Sequence, residues 1–385
     1  MKSYGVAVPR CDVLFLIRSM GRGGAERQLS LLARALQARG LKVAVAVFYA
    51  GGPLERELHD AGVEVLDLQK AGRWSNLGVA RRLLVFVRQR RPRVLHSYMP
   101  TQNVMALLLH PWLRRNGCVV ACGIRTALPN AWRYTKLGGV VDLVQRTLIP
   151  VAERVICNSS RAMQGFGKRV DPRHGFVIPN GVEYERFCYS TDARTSQRVA
   201  WGLKPSTIAV GLVGRLDPQK NHRLLVDALH SIRNERPDVI LVFVGSGSKA
   251  YQEEVQAHAE RLGMAPRILW AGPSDDLSAV YSSLDILCLC SVTEGFPNVV
   301  AEAMCVGLPC VATDVGDVAE LMGDCGWVVP SGDAHALAQA LLRACEALPS
   351  WDRERPRRRM VEQFSVDKLA ERTLAALAPF LDTSA

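Results

Sequence analysis

The chain has 385 residues, 48% apolar and 22% charged, which excludes a disordered tract and leaves room for two domains of about 150 residues each. The net charge of +11 is uneven: residues 1–185 hold 28 Lys and Arg against 12 Asp and Glu, and residues 186–385 hold 20 against 25. The first half therefore suits an anionic partner (a phosphorylated substrate, an acidic lipid surface or nucleic acid), unless its arginines are only a solvated surface.

From the amino end, Asp12–Ile17 reads as a strand, followed by a Gly-rich turn and a helix from Ala25 to Arg39. Lys42–Tyr49 is the next strand, Leu54–Ala61 a helix, Val63–Leu68 a strand, Asn76–Arg90 a helix and Arg93–Ser97 a strand. Strands apolar on both faces, alternating with helices, imply a parallel sheet covered on both sides. The chain turns polar over Tyr189–Trp201, and the domain boundary is expected there. The rhythm then restarts with strands at Ile208–Val213, Val239–Val244, Arg267–Trp270, Ile286–Cys290 and Cys310–Thr313. Helices are expected at Asn221–Asn234, Tyr251–Leu262, Asn298–Cys305 and Ala334–Ala347.

The eleven cysteines lie mostly in apolar runs, with no paired CxxC units at zinc spacing, which suits a reducing cytoplasm. No secretory leader is expected, because the Val13–Ile17 run is short and is followed by Arg18 and Arg22. No window reads as a membrane-spanning helix.

Three loops carry chemistry, and each follows a strand, where ligands bind in open α/β sheets. Gly21–Glu26 (GRGGAE) allows close backbone approach ahead of a helix start, or is an ordinary tight turn. It fails GxGxxG because Glu26 stands where the third glycine belongs, and it has no Walker lysine, which argues against a nicotinamide-dependent oxidoreductase. Gly214–His222 (GRLDPQKNH) offers Arg215 as a planar fork and Lys220 as a mobile charge for phosphate. Glu294–Glu302 (EGFPNVVAE) sets one carboxylate in a loop and another about a turn into a helix, with Asn298 as the expected N-cap. A carboxylate accepting two hydrogen bonds suits a vicinal diol such as ribose. No helix-turn-helix, zinc-finger or RNP pattern supports nucleic acid as a partner.

Taken together, GLVGRLDPQKN, LVFVGSGS, SVTEGFPNVVAEAMCVGLPCVATDVGDVAEL, MGRGGAERQL, NSS and IPNGV resemble the retaining glycosyltransferase family 4. The E-x7-E spacing of Glu294 and Glu302 is its most recognisable mark. The resemblance implies an α/β, GT-B architecture: two Rossmann-like doubly wound lobes facing a central cleft. The acceptor lobe would span 1–188 and the nucleotide-sugar lobe 189–365, with 366–385 a helix returning to the first lobe. Arg215 and Lys220 would bind the donor diphosphate, Glu294 the transferred sugar and Glu302 the ribose. The backbone of Gly295, Phe296, Pro297, Asn298 and Val299 would add to the donor site, and Gly23 and Gly24 would approach the phosphates. No metal and no cofactor beyond the donor are implied. Arg125 and Thr126 stand where many members carry a histidine; Arg125 would contact donor or acceptor phosphate, or be structural. His96 would line the cleft or be packed. Asp317–Ala319 stands where a Gly and a Pro are frequent.

The implied function moves a hexose-type sugar from a UDP- or GDP-linked donor to a glycan or lipid-linked acceptor, in cell-surface polysaccharide biosynthesis. A GT-B nucleotide-sugar epimerase or a non-catalytic nucleotide-sugar-binding protein are the alternatives. The arginines around Asn76–Arg90, and Trp132, Arg133, Tyr134 and Lys136, raise the hypothesis of peripheral contact between a cytoplasmic protein and an anionic membrane. The apolar stripe of that helix packing on the sheet is the plain alternative.

Overall fold

The computed structural model describes residues 10–72, 75–125 and 136–381. Thr126, Trp132, Arg133 and Tyr134 lie outside the described residues. The chain forms two compact units, one running to Gly181 and resuming at Val366, the other spanning Val182–Ser365. Each is an α/β domain around one all-parallel sheet.

The first sheet has seven strands: β1 (Val13–Ile17), β2 (Val43–Val47), β3 (Glu64–Asp67), β4 (Val94–Tyr98), β5 (Val119–Ile124), β6 (Arg154–Cys157) and β7 (Gly175–Val177), in the order β3-β2-β1-β4-β5-β6-β7. Alternation along β1 sends Val13, Phe15 and Ile17 into one core and Leu14 and Leu16 into the other, as the two-residue period of a strand requires when both faces are covered. β1 lies between β2 and β4, with Val13 opposite both Val43 and Val94. The strand order reverses there, and the crevice opens at the carboxyl ends.

The second sheet has six strands: β8 (Ile208–Val213), β9 (Val239–Val244), β10 (Ile268–Gly272), β11 (Ile286–Leu289), β12 (Cys310–Thr313) and β13 (Gly326–Val329), in the order β10-β9-β8-β11-β12-β13. Val210 and Leu212 enter one core, and Ala209 and Val213 the other. β8 repeats the position of β1, flanked by β9 and β11.

Two sequence expectations are corrected. The polar stretch at 189–201 is a helix, Thr191–Ala200, started by Ser190 Oγ accepting from the Ala193 amide. Its polarity is used internally: Arg194 and Arg198 both pair with Asp285, at 2.6 and 3.0 Å. The division between units falls earlier, at Gly181, because Val182 and the fully enclosed Phe187 already belong to the second core. At the carboxyl end the Val366–Leu377 helix packs in the first unit, where Leu369 and Leu377 join Leu29, Leu32 and Leu36 of the Gly24–Ala38 helix.

Candidate active site

In the second domain the predicted phosphate-binding loop and the predicted acidic loop meet. Gly214–Asn221 leaves the end of β8, and Cys290–Pro297 leaves β11, its neighbour in the sheet. Asp217 caps the short turn Pro218–Lys220 by accepting from the Gln219 amide. Gln219 then clamps the acidic loop: its side chain donates to Thr293 O at 2.7 Å, and its carbonyl accepts from the Val292 amide at 2.8 Å.

The clamp brings Lys220 Nζ to 2.5 Å from Glu294 Oε1, and Ser291 Oγ donates to the same oxygen at 2.7 Å. Both side chains are largely buried, at 16% and 13% exposure. Glu294 Oε2 has no partner among the described residues. Arg215 is exposed and unpartnered among the described residues. One cation is thus held in place and one is free to reach.

Backbone packing fixes these loops. Gly245, after β9, has φ 141°, and a Cβ there would lie 1.8 Å from Gly214 O. Gly316, after β12, has φ +57°, and its Cβ would lie 2.3 Å from Gly295 O. Side chains at either position would push the cation loop or the acidic loop out of place.

The helix Asn298–Cys305 begins directly after the acidic loop. Its N-cap is Pro297, with no side-chain cap, and Asn298 is the first helical residue, a correction to the expected Asn298 cap. Proline accepts this place because its fixed φ suits a helix start. The first-turn amides lack intrahelical acceptors and favour an anion. Phe296 turns into the core, its ring 5.8 Å from that of Phe364, so only its backbone faces the loop. Glu302 is 5% exposed, and its Oε2 accepts from Tyr281 Oη at 2.8 Å. His222 is buried against Phe243 and Tyr251. Burial first, and then the charge of Lys220, lowers its pKa to about 4. Ser291, Gln219 and Tyr281 escaped the sequence reading, since single polar residues in such loops carry no spacing signal.

In the first domain Gly23 is the N-cap and Gly24 the first residue of the Gly24–Ala38 helix. A Cβ at Gly23 would come 2.3 Å from Glu26 Oε2, so the helix's own carboxylate already lies over its start. His96 is fully buried inside β4, its ring 5.4 Å from Phe15 and 4.9 Å from Tyr98, with neither ring nitrogen hydrogen-bonded. Of the two expectations for His96, its burial fits the packed histidine and not the cleft-lining one: Gly123 across the sheet leaves room for the ring to pack inward. Burial and the nearby Arg125 hold His96 well below its ordinary pKa. Arg125, just past β5, donates to Tyr98 Oη at 2.6 Å. The stripe of the Asn76–Arg90 helix packs inward through Val79, Leu83, Phe86 and Val87, while Arg82 bonds Leu68 O and Arg90 pairs with Glu64.

The sequence of the first domain matches the family model described as "Glycosyltransferase Family 4" over residues 22–186, and the second matches "Glycosyl transferases group 1" over 207–347. Each domain thus resembles one half of a glycosyltransferase, the first that of family 4 and the second that of group 1. Among particular relatives, the chain is 35% identical over 158 residues to a D-inositol 3-phosphate glycosyltransferase of Segniliparus rotundus, covering 40% of this chain and 35% of the relative. It is 28% identical over 236 residues to the UDP-Gal:alpha-D-GlcNAc-diphosphoundecaprenol alpha-1,3-galactosyltransferase of Escherichia coli, covering 59% and 61%. The matches thus span less than two thirds of these curated relatives' lengths. The fold is that of Anabaena Alr3699/HepE, solved in complex with UDP, with a TM-score of 0.83 at 21% identity over 96% of this chain and 100% of that one.

Proposed function

We propose that the chain is a retaining glycosyltransferase moving a hexose-type sugar from a UDP- or GDP-linked donor to a glycan or lipid-linked acceptor, in cell-surface polysaccharide assembly. The observation that carries this reading is the Lys220–Glu294 contact, with Arg215 on the same loop unpartnered among the described residues and the Asn298 helix start after the next loop. Arg215 and Lys220 on one loop and the helix start after the neighbouring loop are three donors for an anion, and a carboxylate oxygen is left to accept from sugar hydroxyls.

In this reading the bond between the sugar's anomeric carbon and the phosphate oxygen breaks, and its electron pair stays with the departing diphosphate. Arg215, Lys220 and the helix-start amides stabilise the charge that develops there. The acceptor hydroxyl attacks the anomeric carbon from the same face and gives its proton to the leaving phosphate. These two cations, one held and one free to reach, take the place of a metal ion, so the reaction is read as metal-independent. Glu302 holds the ribose, with Tyr281 orienting its carboxylate. The relatives' names, which include a UDP-sugar donor and a diphosphoundecaprenol acceptor, agree with the donor and acceptor classes. Peripheral contact with an anionic membrane belongs to the same reading, supported by the basic first half and by exposed Leu137, Val140 and Leu143 on the Lys136–Leu148 helix.

The test is a screen of UDP- and GDP-sugars for donor hydrolysis and transfer by the full chain. Lys220→Ala and Glu294→Ala are each expected to lower turnover by about 10²–10³-fold, the loss typical of removing one preorganised electrostatic contact. Turnover untouched by both substitutions would remove the site.

A further inference from the structure

A charged side chain taken out of water is normally held by an opposite charge. Arg125 has none. It is 8% exposed. Its guanidinium meets two neutral oxygens, Tyr98 Oη at 2.6 Å and Asn180 Oδ1 at 3.5 Å, and lies 4.3 Å from the Tyr98 ring centre. Its Nε has no acceptor among the described residues. No carboxylate lies within ion-pair distance of it among the described residues. The stretch that follows, residues 126–135, reads TALPNAWRYT and contains no Asp or Glu.

A second observation has the same sign. The Pro100–Arg115 helix starts at the end of β4, just past Tyr98, with no side-chain cap and no acidic residue in its first turn. Its N-cap, Met99, holds φ 76°, a left-handed conformation that a non-glycine residue keeps only when its surroundings enforce it. The amides of such a helix start favour an anion. At the corresponding start of the Gly24–Ala38 helix the first turn supplies its own carboxylate, Glu26; here the first turn holds none.

We propose that Tyr98, Arg125 and Asn180, at the carboxyl edge of the first sheet, form a binding site for an anionic group on the acceptor, a phosphate or a carboxylate. The site stands on this geometry; assigning its ligand to the acceptor rests on the glycosyltransferase reading. The guanidinium keeps donors for two oxygens of one anion. Tyr98 Oη accepts from Arg125 and still has its own proton to donate. An acceptor lacking the negative group leaves the guanidinium buried and unpaired, so Arg125 selects by penalty as well as by attraction.

Isothermal titration of the full chain tests this, in the parent and in an Arg215→Ala/Lys220→Ala background that silences the second domain's cations. The probes are inorganic phosphate and glucuronate, with glucose as the neutral control. At least one anion is expected to bind saturably in both backgrounds, with glucose silent, and Arg125→Gln is expected to weaken it by about tenfold or more. Arg125→Lys should recover part of the affinity. Phosphate alone assigns a phosphorylated acceptor, and glucuronate alone an acidic sugar. Circular dichroism checks the fold; if Arg125→Gln unfolds, Tyr98→Phe replaces it, with a severalfold loss expected. No binding of either anion, or binding unchanged in a folded Arg125→Gln or Tyr98→Phe protein, overturns the proposal. UDP and GDP binding to the unsubstituted second domain is measured separately; its failure removes the donor reading and leaves the anion site standing.

Discussion

Both domains place a cation at the carboxyl edge of their sheet, Lys220 after β8 at the reversal of strand order and Arg125 after β5, two strands from β1, and treat it in opposite ways. In the second domain Lys220 is neutralised by Glu294, and that carboxylate is itself steadied by Ser291. In the first, Arg125 rests on neutral oxygens and an aromatic ring. Each domain also buries a histidine next to its cation, His222 near Lys220 and His96 near Arg125, and in each case burial is the larger cause of the lowered pKa. A compensated cation can wait in place for a ligand that brings both hydroxyls and phosphate. An uncompensated one fits a ligand that brings only negative charge.

The sharpest way to break the comparison is to unseat the second domain's loops. Gly245→Ala forces a Cβ against Gly214 O at a backbone angle that alanine resists, and the loop carrying Arg215 and Lys220 must move. The expected cost is about 3 kcal/mol or more in denaturant unfolding, together with loss of turnover. Gly202→Ala is the control: φ is +67° but nothing lies within 4 Å of the added carbon, so only backbone strain of about 1 kcal/mol is expected. Equal midpoints for the two variants would show that the loops are not locked by close approach.

The histidines sharpen the comparison through pH. The unfolded chain protonates histidine near the ordinary value of about 6.5, whereas His222 in the folded protein does so only at about 4. Between these values the unfolded state binds more protons, so stability is fully present above about pH 6.5 and is lost as pH falls towards 4. A tenfold difference in proton affinity between the two states corresponds to about 1.4 kcal/mol, so His222 accounts for about 2–3 kcal/mol of the loss between near-neutral pH and about pH 4.5. His222→Phe keeps an aromatic ring against Phe243 and Tyr251 and should shrink that pH difference by about this amount. A difference unchanged from the parent would show that His222 is not buried neutral.

How much of this was legible in the sequence follows from how local each signal is. Ile208–Val213 and Val239–Val244 are apolar on both faces and bounded by turn residues, so their ends read directly. The Pro100–Arg115 helix did not, because Pro111 lies inside it and its buried Gln102 and Asn103 break the apolar pattern. The Thr191–Ala200 helix read as a linker because its buried face is Arg198, satisfied by an aspartate far along the chain. Lys220 and Glu294 were each legible from motif spacing; their contact was not, because it depends on β8 and β11 lying side by side. Arg125 was visible as a departure, but its missing counter-charge is a property of burial.

The smallest expected effect divides the two domains most finely. Each has a buried tyrosine on its charged group: Tyr281 donates to the Glu302 carboxylate at 2.8 Å, and Tyr98 accepts from the Arg125 guanidinium at 2.6 Å. Tyr281→Phe deprives a buried carboxylate oxygen of a donor, a loss of about 1–2 kcal/mol. Tyr98→Phe removes an acceptor but keeps the ring whose centre lies 4.3 Å from the guanidinium carbon, and cation–π attraction at such sites is worth about 0.5–2 kcal/mol. Its cost in stability should therefore be the smaller of the two. Urea unfolding of both variants at one pH decides it. A larger loss for Tyr98→Phe would mean that the hydroxyl, rather than the ring face, is what makes Arg125 tolerable in the interior.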